Sequence, residues 1–398
     1  MTSQVGTDKG FISDRAKELK PSGIRKFFDL AAKMGSGAIS LGVGEPDFTT
    51  PWHIRESAIY ALEKGYTMYT SNAGLLELRQ EISKYLYQTY GLEYNPETEV
   101  LITVGSSEAL DLVMRATLNP GDEVLMTDPA YVAYPSCVFM SYGNPVQIPT
   151  FEANNFEISA ADIAPRITPK TRSILLGYPS NPTGAVMPKN KLAEIAKLAC
   201  DKNLLVVSDE IYDKIIYSGF EHTCFATLPG MRERSVIING FSKTYAMTGW
   251  RIGYAVGPAA IIQAMTKIHQ HTMLCAPIAA QKAALEALRN GQDDVRLMVE
   301  EYDRRRRFIV KNFNDMGLSC FEPKGAFYTF PSVRKTGLSS NEFAEKLLME
   351  EKVAAVPGTA FGESGEGYLR CCYATSLKDI EEAMKRFRHF LKHNCPQM

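Results

Sequence analysis

Side chains capable of covalent and ionic chemistry follow a series of short apolar segments in the 398-residue chain. Lys243 offers a nucleophilic amine, Asp209 a carboxylate, and Arg251 a guanidinium that can bind an anion. The other candidates are hydroxyls, phenols and an amide, in chain order Ser106, Ser107, Tyr131, Asn181, Tyr212 and Ser242. Such a set is suited to forming a covalent bond with a carbonyl group while holding a phosphate and a polar ring.

The segments that position these side chains alternate between strand and helix patterns. Apolar runs predict buried strands at 100–104, 123–126, 173–176, 204–207, 236–238 and 252–256, with helices over 108–118 and 189–200. This alternation predicts an α/β fold with a mostly parallel sheet flanked by helices. Because ligands of such sheets bind beyond the carboxyl ends of the strands, we expect the candidate side chains to meet at one edge.

After about residue 291 the pattern changes to a smaller α+β arrangement. A long charged helix is predicted over 294–314, then strands at 326–330, 353–356 and 368–373 and helices over 341–351 and from 378. We therefore expect a large cofactor-binding domain at 45–290 and a small domain built from 1–44 together with 291–398.

Nucleotide binding does not explain the candidate residues. The run Ser208-Asp209-Glu210 is similar to part of an ATPase site, but the chain has no G-x-x-x-x-G-K-[ST] loop. Gly42-Val43-Gly44 begins like a dinucleotide-binding motif, but Asp47 stands where the third glycine belongs. Pyridoxal phosphate requires a lysine for its aldehyde, an acid for its pyridine nitrogen, an aromatic face, and a helix N-terminus with a cation for its phosphate. The residues offer all of these.

Several segments resemble class I pyridoxal-phosphate aminotransferases and follow one another in the order typical of that family. They are GVGEPDF at 42–48, SNPTG at 180–184, SDEIY at 208–212, NGFSKTYAMTGWRIG at 239–253, PKGAFY at 323–328, and Arg370 before YAT at 373–375. The resemblance spans the chain from about Pro21 to the C-terminal helix. Segments 22–26 and 366–368 are most similar to archaeal aromatic aminotransferases and bacterial N-acetyl-diaminopimelate aminotransferases.

The resemblance implies a fold type I enzyme that moves an amino group between an amino acid and a 2-oxo acid in two half-reactions. Lys243 would bind the cofactor covalently, and Asp209 would pair with its pyridine nitrogen. The other implied contacts are Tyr212 and Asn181 to the ring oxygen, Tyr131 stacked on the ring, Ser106, Ser107, Ser242 and Arg251 to the phosphate, and Gly44, Asn181 and Arg370 to the substrate α-carboxylate. A homodimer is also implied, in which Tyr69 reaches the phosphate in the partner subunit.

The resemblance also implies two cis peptide bonds, and at two positions this sequence differs from many members of the family. Relatives bend at Asp128–Pro129 and Asn181–Pro182 through cis peptide bonds, which we expect here too. Gly240 stands where many relatives have a serine, which removes one phosphate hydroxyl. Tyr131 stands where many relatives have tryptophan, which keeps the stacking face but reduces its area.

Two alternatives to an aminotransferase stay open. The same fold hosts lyases and synthases that act at Cβ or Cγ and release ammonia or a cleaved side chain. Cofactor-binding transcription regulators also contain an aminotransferase-like domain. The roughly forty residues before Gly44 are too few for the DNA-binding domain that such regulators add.

Composition and charge argue against nucleic-acid-binding, membrane-spanning and secreted proteins. The 44 basic and 45 acidic residues give a net charge of −1, which argues against a nucleic-acid partner. No apolar run reaches the roughly 18 residues of a membrane span. The eight cysteines form no Cys-x-x-Cys pair and residues 1–10 lack a signal-peptide pattern, so we expect a cytoplasmic protein without a membrane partner.

A histidine pair and an arginine run in the sequence do not indicate ligand-binding sites. His269 and His271 are two residues apart in a helical pattern and do not face each other, so we expect no metal site there. The run from Arg304 to Arg307 follows acidic residues, and we expect it to be a solvated helix face.

Ser107 bears on the choice of substrate. One aspartate-specific branch of the family has a lysine at this position, and a neutral serine cannot offset the burial of a second carboxylate. We therefore expect a broad enzyme, with glutamate or 2-oxoglutarate on one side and a larger, aromatic or diaminopimelate-type amino acid on the other. Mobile polar groups near Ile24 would accommodate both. The alternative is a narrow aspartate enzyme whose cation comes from Arg25 or the partner subunit.

Overall fold

The structure, a computed structural model, describes residues 10–19, 21, 23, 37–217 and 219–395. Within these ranges the strands are β1 Ile39–Ser40, β2 Val100–Thr103, β3 Glu123–Asp128, β4 Asn144–Pro149, β5 Thr171–Gly177, β6 Leu205–Asp209, β7 Ser235–Gly240, β8 Gly253–Val256, β9 Tyr328–Thr329, β10 Val353–Ala354, β11 Val356–Pro357 and β12 Leu369–Cys372. The α-helices are α1 Asp14–Glu18, α2 Trp52–Glu63, α3 Leu76–Tyr90, α4 Ser106–Thr117, α5 Ala133–Met140, α6 Ala160–Ile163, α7 Lys189–Asp201, α8 Ala259–Thr272, α9 Ile278–Asn290, α10 Gln292–Asp315, α11 Ser340–Glu351 and α12 Leu377–Asn394. Among the described helices, none combines the length and apolarity needed to cross a membrane.

The main sheet has the strand order β2-β8-β7-β6-β5-β3-β4. The pairs β4–β3, β3–β5, β5–β6 and β6–β7 are parallel, whereas β8 runs antiparallel to both of its neighbours. The prediction of an α/β fold with a mostly parallel sheet is confirmed. Strands β2, β3, β5, β6 and β7 therefore end at the same edge, and β8 begins there.

Both faces of the main sheet are covered by helices because successive strand residues point to opposite sides. In β6, Val206 packs in a cluster with α2, α3, α7 and α9, whereas Val207 packs in a second cluster with α4, α5 and α8. Both side chains are fully buried. The predicted run of apolar residues in this strand reflects burial on both faces.

The C-terminal part contains a three-stranded antiparallel sheet of order β11-β12-β9 and a two-stranded pair of β1 with β10. Ile39 of β1 pairs in parallel register with Val353 of β10, so the segment before residue 44 joins the C-terminal strands. Helices α10, α11 and α12 pack through an aromatic cluster in which the rings of Phe313 and Phe387 are 5.2 Å apart.

Sequence patterns did not predict β4. This strand contains Pro145 and Pro149, which disfavour an interior strand because proline has no N–H to donate. The structure places β4 at the sheet edge, where half of its backbone groups need no partner. The predicted strand at 353–356 is divided into β10 and β11. The cis bonds expected at Asp128–Pro129 and Asn181–Pro182 are present, and Tyr178–Pro179 is also cis.

The prediction that Arg304 to Arg307 form a solvated helix face is wrong for two of these residues. Arg305 and Arg306 on α10 are 5% and 1% exposed. Arg306 pairs with Asp303 and Glu322 at N–O distances of 2.7 Å. Because Glu322 lies outside the helix, in the segment that follows α10, the helical pattern alone could not reveal this pairing.

The two kinds of arginine on α10 should differ in their effect on stability. We predict that Arg306→Ala lowers the free energy of unfolding by about 2–4 kcal/mol, because it removes charge-assisted bonds and leaves a buried void. Arg307→Ala, at a side chain 67% exposed, should change it by less than about 0.5 kcal/mol. Urea unfolding of both variants measures this, and equal effects would contradict the assignment.

Candidate active site

A cavity of about 400 Å³ lies at the edge of the main sheet where the parallel strands end. Tyr328 of β9 and Arg370 of β12 close it from the C-terminal part. All the predicted site residues except Tyr69 line this cavity, namely Gly44, Ser106, Ser107, Tyr131, Asn181, Asp209, Tyr212, Ser242, Lys243, Arg251 and Arg370. The structure thus brings together residues separated by more than three hundred positions in sequence.

Strand direction explains why these side chains meet. Asp209 is the last residue of β6, and Lys243 follows the end of β7. Arg251 precedes β8, and because β8 is antiparallel to β7 its start lies at the same edge as the ends of the other strands. The antiparallel strand therefore brings a cation to an edge that is otherwise lined by residues following parallel strands.

One end of the cavity combines a helix N-terminus with a guanidinium. α4 begins at Ser106, directly after Gly105, whose φ of 79° is in the left-handed region. A Cβ at Gly105 would lie 2.7 Å from Arg251 Nη2, and a Cβ at Gly253 would lie 2.6 Å from the backbone nitrogen of Ser106. The two glycines therefore allow Arg251 and the N-terminus of α4 to approach the same anion.

Asp209 is a buried carboxylate that receives hydrogen bonds on both oxygens. Tyr134 Oη donates to Oδ2 at 2.9 Å, and the backbone N–H of Ile211 donates to Oδ1 at 3.2 Å. Burial raises the pKa of Asp209 to about 6, although both hydrogen bonds act in the opposite direction. A cation beside this carboxylate would stabilise its charged form.

Sequence reasoning missed Tyr134. Its ring packs edge-on against Tyr131, with ring centroids 5.6 Å apart. A Cβ at position 177 would lie only 2.1 Å from Tyr134 Oη. Gly177 therefore makes room for the hydrogen bond to Asp209. The available signal was the spacing of three residues from Tyr131, which places both rings on one side of a helical turn.

Lys243 directs its amine into the cavity. Nζ donates a hydrogen bond to the backbone oxygen of Gly44 at 2.6 Å. Burial lowers the pKa of Lys243 to about 8. A buried lysine with a lowered pKa can provide a neutral, nucleophilic amine much closer to neutral pH than an exposed lysine.

Two phenols form a hydrogen-bonded pair beside the Gly44 backbone. The hydroxyls of Tyr212 and Tyr328 are 2.7 Å apart, and burial raises the pKa of both phenols, so both keep their protons at neutral pH. A Cβ at Gly44 would lie 2.3 Å from Tyr328 Oη. The pair therefore requires glycine at position 44. The role of Tyr328 was missed, although the residue belongs to the PKGAFY motif.

Arg370 is 2% exposed and anchored by groups from distant parts of the chain. Nη1 donates to Asn181 Oδ1 at 3.0 Å, and Nη2 donates to the backbone oxygen of Gly42. Its guanidinium lies 4.6 Å from the ring centre of Tyr328 and 4.7 Å from that of Phe361. Nε is buried without a hydrogen-bond partner among the described residues, which leaves a donor free for a ligand.

Other predicted residues lie elsewhere. Tyr69 is 81% exposed and outside the cavity. Ile24 and Arg25 lie outside the described residues, so the expected role of that segment is not addressed by the structure. His269 is buried with Nδ1 2.6 Å from Glu108 Oε1, whereas His271 is exposed.

Comparison with known proteins identifies the family. The family model described as aminotransferase class I and II matches residues 36–387. An aspartate aminotransferase of Pyrococcus abyssi is 46% identical over 96% of this chain and 98% of its own length, and an aromatic-amino-acid aminotransferase of Thermococcus litoralis is 44% identical with the same coverage. The crystal structure of an aromatic aminotransferase from Pyrococcus horikoshii superposes with a TM-score of 0.88 at 45% identity, covering 92% of this chain and 98% of that one.

The chain belongs to the class I and II aminotransferases. The expected activity follows, namely transfer of an amino group between an amino acid and a 2-oxo acid. The resemblance found in the sequence motifs is confirmed, as is the expected likeness to archaeal aromatic aminotransferases.

The lowered pKa of Lys243 gives a measurable pH dependence. In the cofactor-free protein, we predict that trinitrobenzenesulfonate modifies Lys243 with a midpoint near pH 8, because the amine is protonated below its pKa and reactive above it. The matched control is Lys197, which is 77% exposed and whose pKa the Asp201 carboxylate raises. Peptide mapping by mass spectrometry separates the two lysines. A Lys243 midpoint as high as that of Lys197 would contradict the assignment.

Proposed function

We propose that this aminotransferase holds pyridoxal phosphate in the cavity described above, bound covalently to Lys243. The observation that supports this most strongly is the presence in one cavity of a buried amine of lowered pKa, a buried carboxylate at Asp209, and a helix N-terminus facing Arg251. These groups match the aldehyde, the pyridine nitrogen and the phosphate of the cofactor, respectively.

The phosphate fits the end of the cavity at the N-terminus of α4. Arg251 supplies a full positive charge, and the helix N-terminus supplies free backbone N–H groups and a partial positive charge. The hydroxyls of Ser106, Ser107 and Ser242 line the same cavity and complete the set of donors. The clearance left by Gly105 and Gly253 supports this placement, because side chains at either position would occupy the space between the donors.

The pyridine ring would lie beside Asp209. This carboxylate would hold a proton on the ring nitrogen, and the resulting positive charge would lower the pKa of Asp209 again. Tyr134 keeps the carboxylate oriented through its 2.9 Å hydrogen bond. Tyr131 would stack on the ring, and Asn181 and Tyr212 would hold its phenolic oxygen.

When bound, pyridoxal phosphate supplies an aldehyde that condenses with amines and a ring that withdraws electrons from the substrate Cα–H bond. Lys243 would hold this group through Nζ, and its amine, once free, would be the base that accepts the proton from the substrate Cα and returns it. The Gly44 carbonyl, 2.6 Å from Nζ, orients the amine for this transfer.

Arg370 binds the α-carboxylate of the substrate. Its unpartnered Nε and its position against two aromatic rings support this role, because a guanidinium with a free donor edge suits carboxylate recognition. Asn181 and the backbone oxygen of Gly42 already occupy the other nitrogens, so the guanidinium is fixed before the substrate arrives. Gly44 and Asn181 complete the carboxylate site.

The enzyme uses glutamate or 2-oxoglutarate as one partner and an aromatic, larger or diaminopimelate-type amino acid as the other. Among the described residues that line the cavity, the cations are Lys243, Arg251 and Arg370, and each already has a role. No described cation is left for a second substrate carboxylate, which supports an aromatic amino acid, a substrate without one, as the second partner; glutamate and aspartate alike would need groups beyond the described cavity residues. The relatives include proteins named for aspartate and for aromatic substrates, so the alternative needs a direct test.

We predict that the holoenzyme transfers amino groups to 2-oxoglutarate from phenylalanine or from an N-acylated diaminopimelate with a kcat/KM within a hundredfold of that for aspartate. The measurement is kcat/KM for the three donors, with Lys243→Ala as the inactive control. A preference for aspartate over both others by more than a hundredfold, about 2.7 kcal/mol, would contradict the broad specificity. Release of ammonia in place of a transferred amino group would instead indicate a lyase.

The enzyme acts as a homodimer with shared active sites, in which Tyr69 reaches the phosphate of the partner subunit's cofactor. Exposed apolar side chains in two segments support this, namely Trp52, Ile59, Tyr60, Leu62, Tyr66, Met68, Tyr69, Met273 and Leu274. Asn72 connects the two segments by donating a hydrogen bond to the backbone oxygen of Leu274. Apolar side chains concentrated in this way are typically covered when a chain associates with a partner.

Complementation between two variants tests the shared sites. Tyr69→Ala and Lys243→Ala chains should each have little activity, and a refolded equal mixture should recover about a quarter of the wild-type activity. The reason is that half of the dimers are then mixed and each mixed dimer has one intact site. Sedimentation gives the oligomeric state. Activity in a monomer, or no recovery in a mixture shown to contain mixed dimers, would contradict the proposal.

Two further features complete the proposal. A large domain at 45–290 binds the cofactor, and a small domain of 1–44 with 291–398 covers it; the pairing of β1 with β10 supports this division.

The protein works in the cytoplasm. The support is that its eight cysteines, all within the described residues, form no disulfide, as is usual in a reducing compartment.

A further inference from the structure

Residues 42–48, called here the carbonyl loop, present two backbone oxygens to the active site. The oxygen of Gly42 accepts a hydrogen bond from Arg370, and the oxygen of Gly44 accepts one from Lys243. The loop has no regular secondary structure, so no ladder of backbone hydrogen bonds fixes these oxygens in place. Contacts with neighbouring elements must therefore set their positions, namely those at its two ends and a 3.1 Å hydrogen bond that Thr248 Oγ1 donates to Glu45 Oε2 in its middle.

The N-terminal end of the carbonyl loop is held by backbone hydrogen bonds. Leu41 donates to the oxygen of Ala354 at 2.8 Å and accepts from the nitrogen of Cys372 at 2.6 Å. This end is therefore joined to the β10 and β12 region, close to Arg370.

The C-terminal end is held by side chains of α10. Arg305 Nη1 lies 2.8 Å from Asp47 Oδ1, and the Arg305 guanidinium lies 5.2 Å from the ring centre of Phe48. Phe48 in turn packs edge-on against Tyr302, with centroids 5.4 Å apart. Glu301, one turn earlier on α10, accepts from Arg305 Nε at 2.9 Å and fixes the guanidinium on the helix side.

We propose that Arg305 is a positioning residue that sets the Gly42 and Gly44 carbonyls, and through them Arg370 and Lys243, by holding Asp47. Arg305 does not line the cavity and is 5% exposed, so it acts through the loop and not on the substrate. Arg305 is buried and Asp47 partly buried, so solvent and salt screen this pair less than they screen an exposed surface ion pair. The interpretation of Arg370 and Lys243 rests on the proposed function, whereas the contacts of Arg305 do not.

The test compares Arg305→Gln with two other arginine variants of α10. In the holoenzyme, Arg305→Gln should raise KM for both substrates about tenfold with a smaller change in kcat, since a displaced Arg370 weakens binding in every state. In the cofactor-free protein, trinitrobenzenesulfonate should modify Lys243 several times faster, because Nζ loses the Gly44 oxygen. This second measurement needs no turnover, so it stays informative even if the proposed function is wrong.

The controls separate positioning from stability. Arg304→Gln removes an exposed charge that also pairs with Glu301 and should leave both measurements unchanged. Arg306→Ala should lower stability without changing the reactivity of Lys243.

Variants of the partner residue test the pair itself. Asp47→Asn should have the same effects as Arg305→Gln, and the double variant should be no worse than either single variant. Arg305→Lys should restore part of the effect. Should Arg305→Gln fail to fold, Asp47→Asn carries the same test. Wild-type KM and Lys243 reactivity in a folded variant, or additive effects of the two changes, would overturn the proposal.

Discussion

The common direction of five strands is the constraint on which the candidate active site depends, because β2, β3, β5, β6 and β7 all end at one edge of the sheet. Each strand places a different functional group at this edge, at or shortly after its last residue. Because β8 is antiparallel to β7, the residues before β8 lie at the same edge, and Arg251 is one of them. Close approach of these groups then requires glycine at Gly105 and Gly253, where a Cβ would lie within 2.7 Å of another element.

Burial acts in opposite directions on the two central ionisable groups. It raises the pKa of Asp209 from 3.8 to about 6 and lowers that of Lys243 from 10.5 to about 8. Asp209 therefore disfavours the folded state increasingly as the pH rises through 3.8 to 6, and Lys243 does so as the pH falls from 10.5 to 8. At neutral pH both groups oppose folding of the cofactor-free chain. A ligand that pairs with Asp209 and binds Lys243 removes both penalties, so cofactor affinity and stability are linked.

Helix α10 connects the site to the C-terminal part of the protein. Its buried arginines serve different contacts, with Arg305 holding Asp47 of the carbonyl loop and Arg306 holding Glu322 near the PKGAFY motif. Both loops supply residues that touch the cavity, namely Gly44 and Tyr328. The helix thus contacts two segments, 42–48 and 322–328, that both reach the cavity.

The sequence by itself determined the class of fold, the strand ends and the motif residues, because buried strands leave continuous apolar runs and most candidate residues lie at or close to the end of one. Asp209 and Lys243 could be found in this way, and Arg251 from its place in the motif just before β8. Only the tertiary structure decided the placement of Tyr134 on Asp209, the burial of Arg305 and Arg306, and the edge position of β4. Each of these depends on atoms brought together from distant parts of the chain, such as Gly177 beneath Tyr134 and Asp47 beside Arg305. Local periodicity carries no information about such partners, since burial of a polar side chain is set by what covers it.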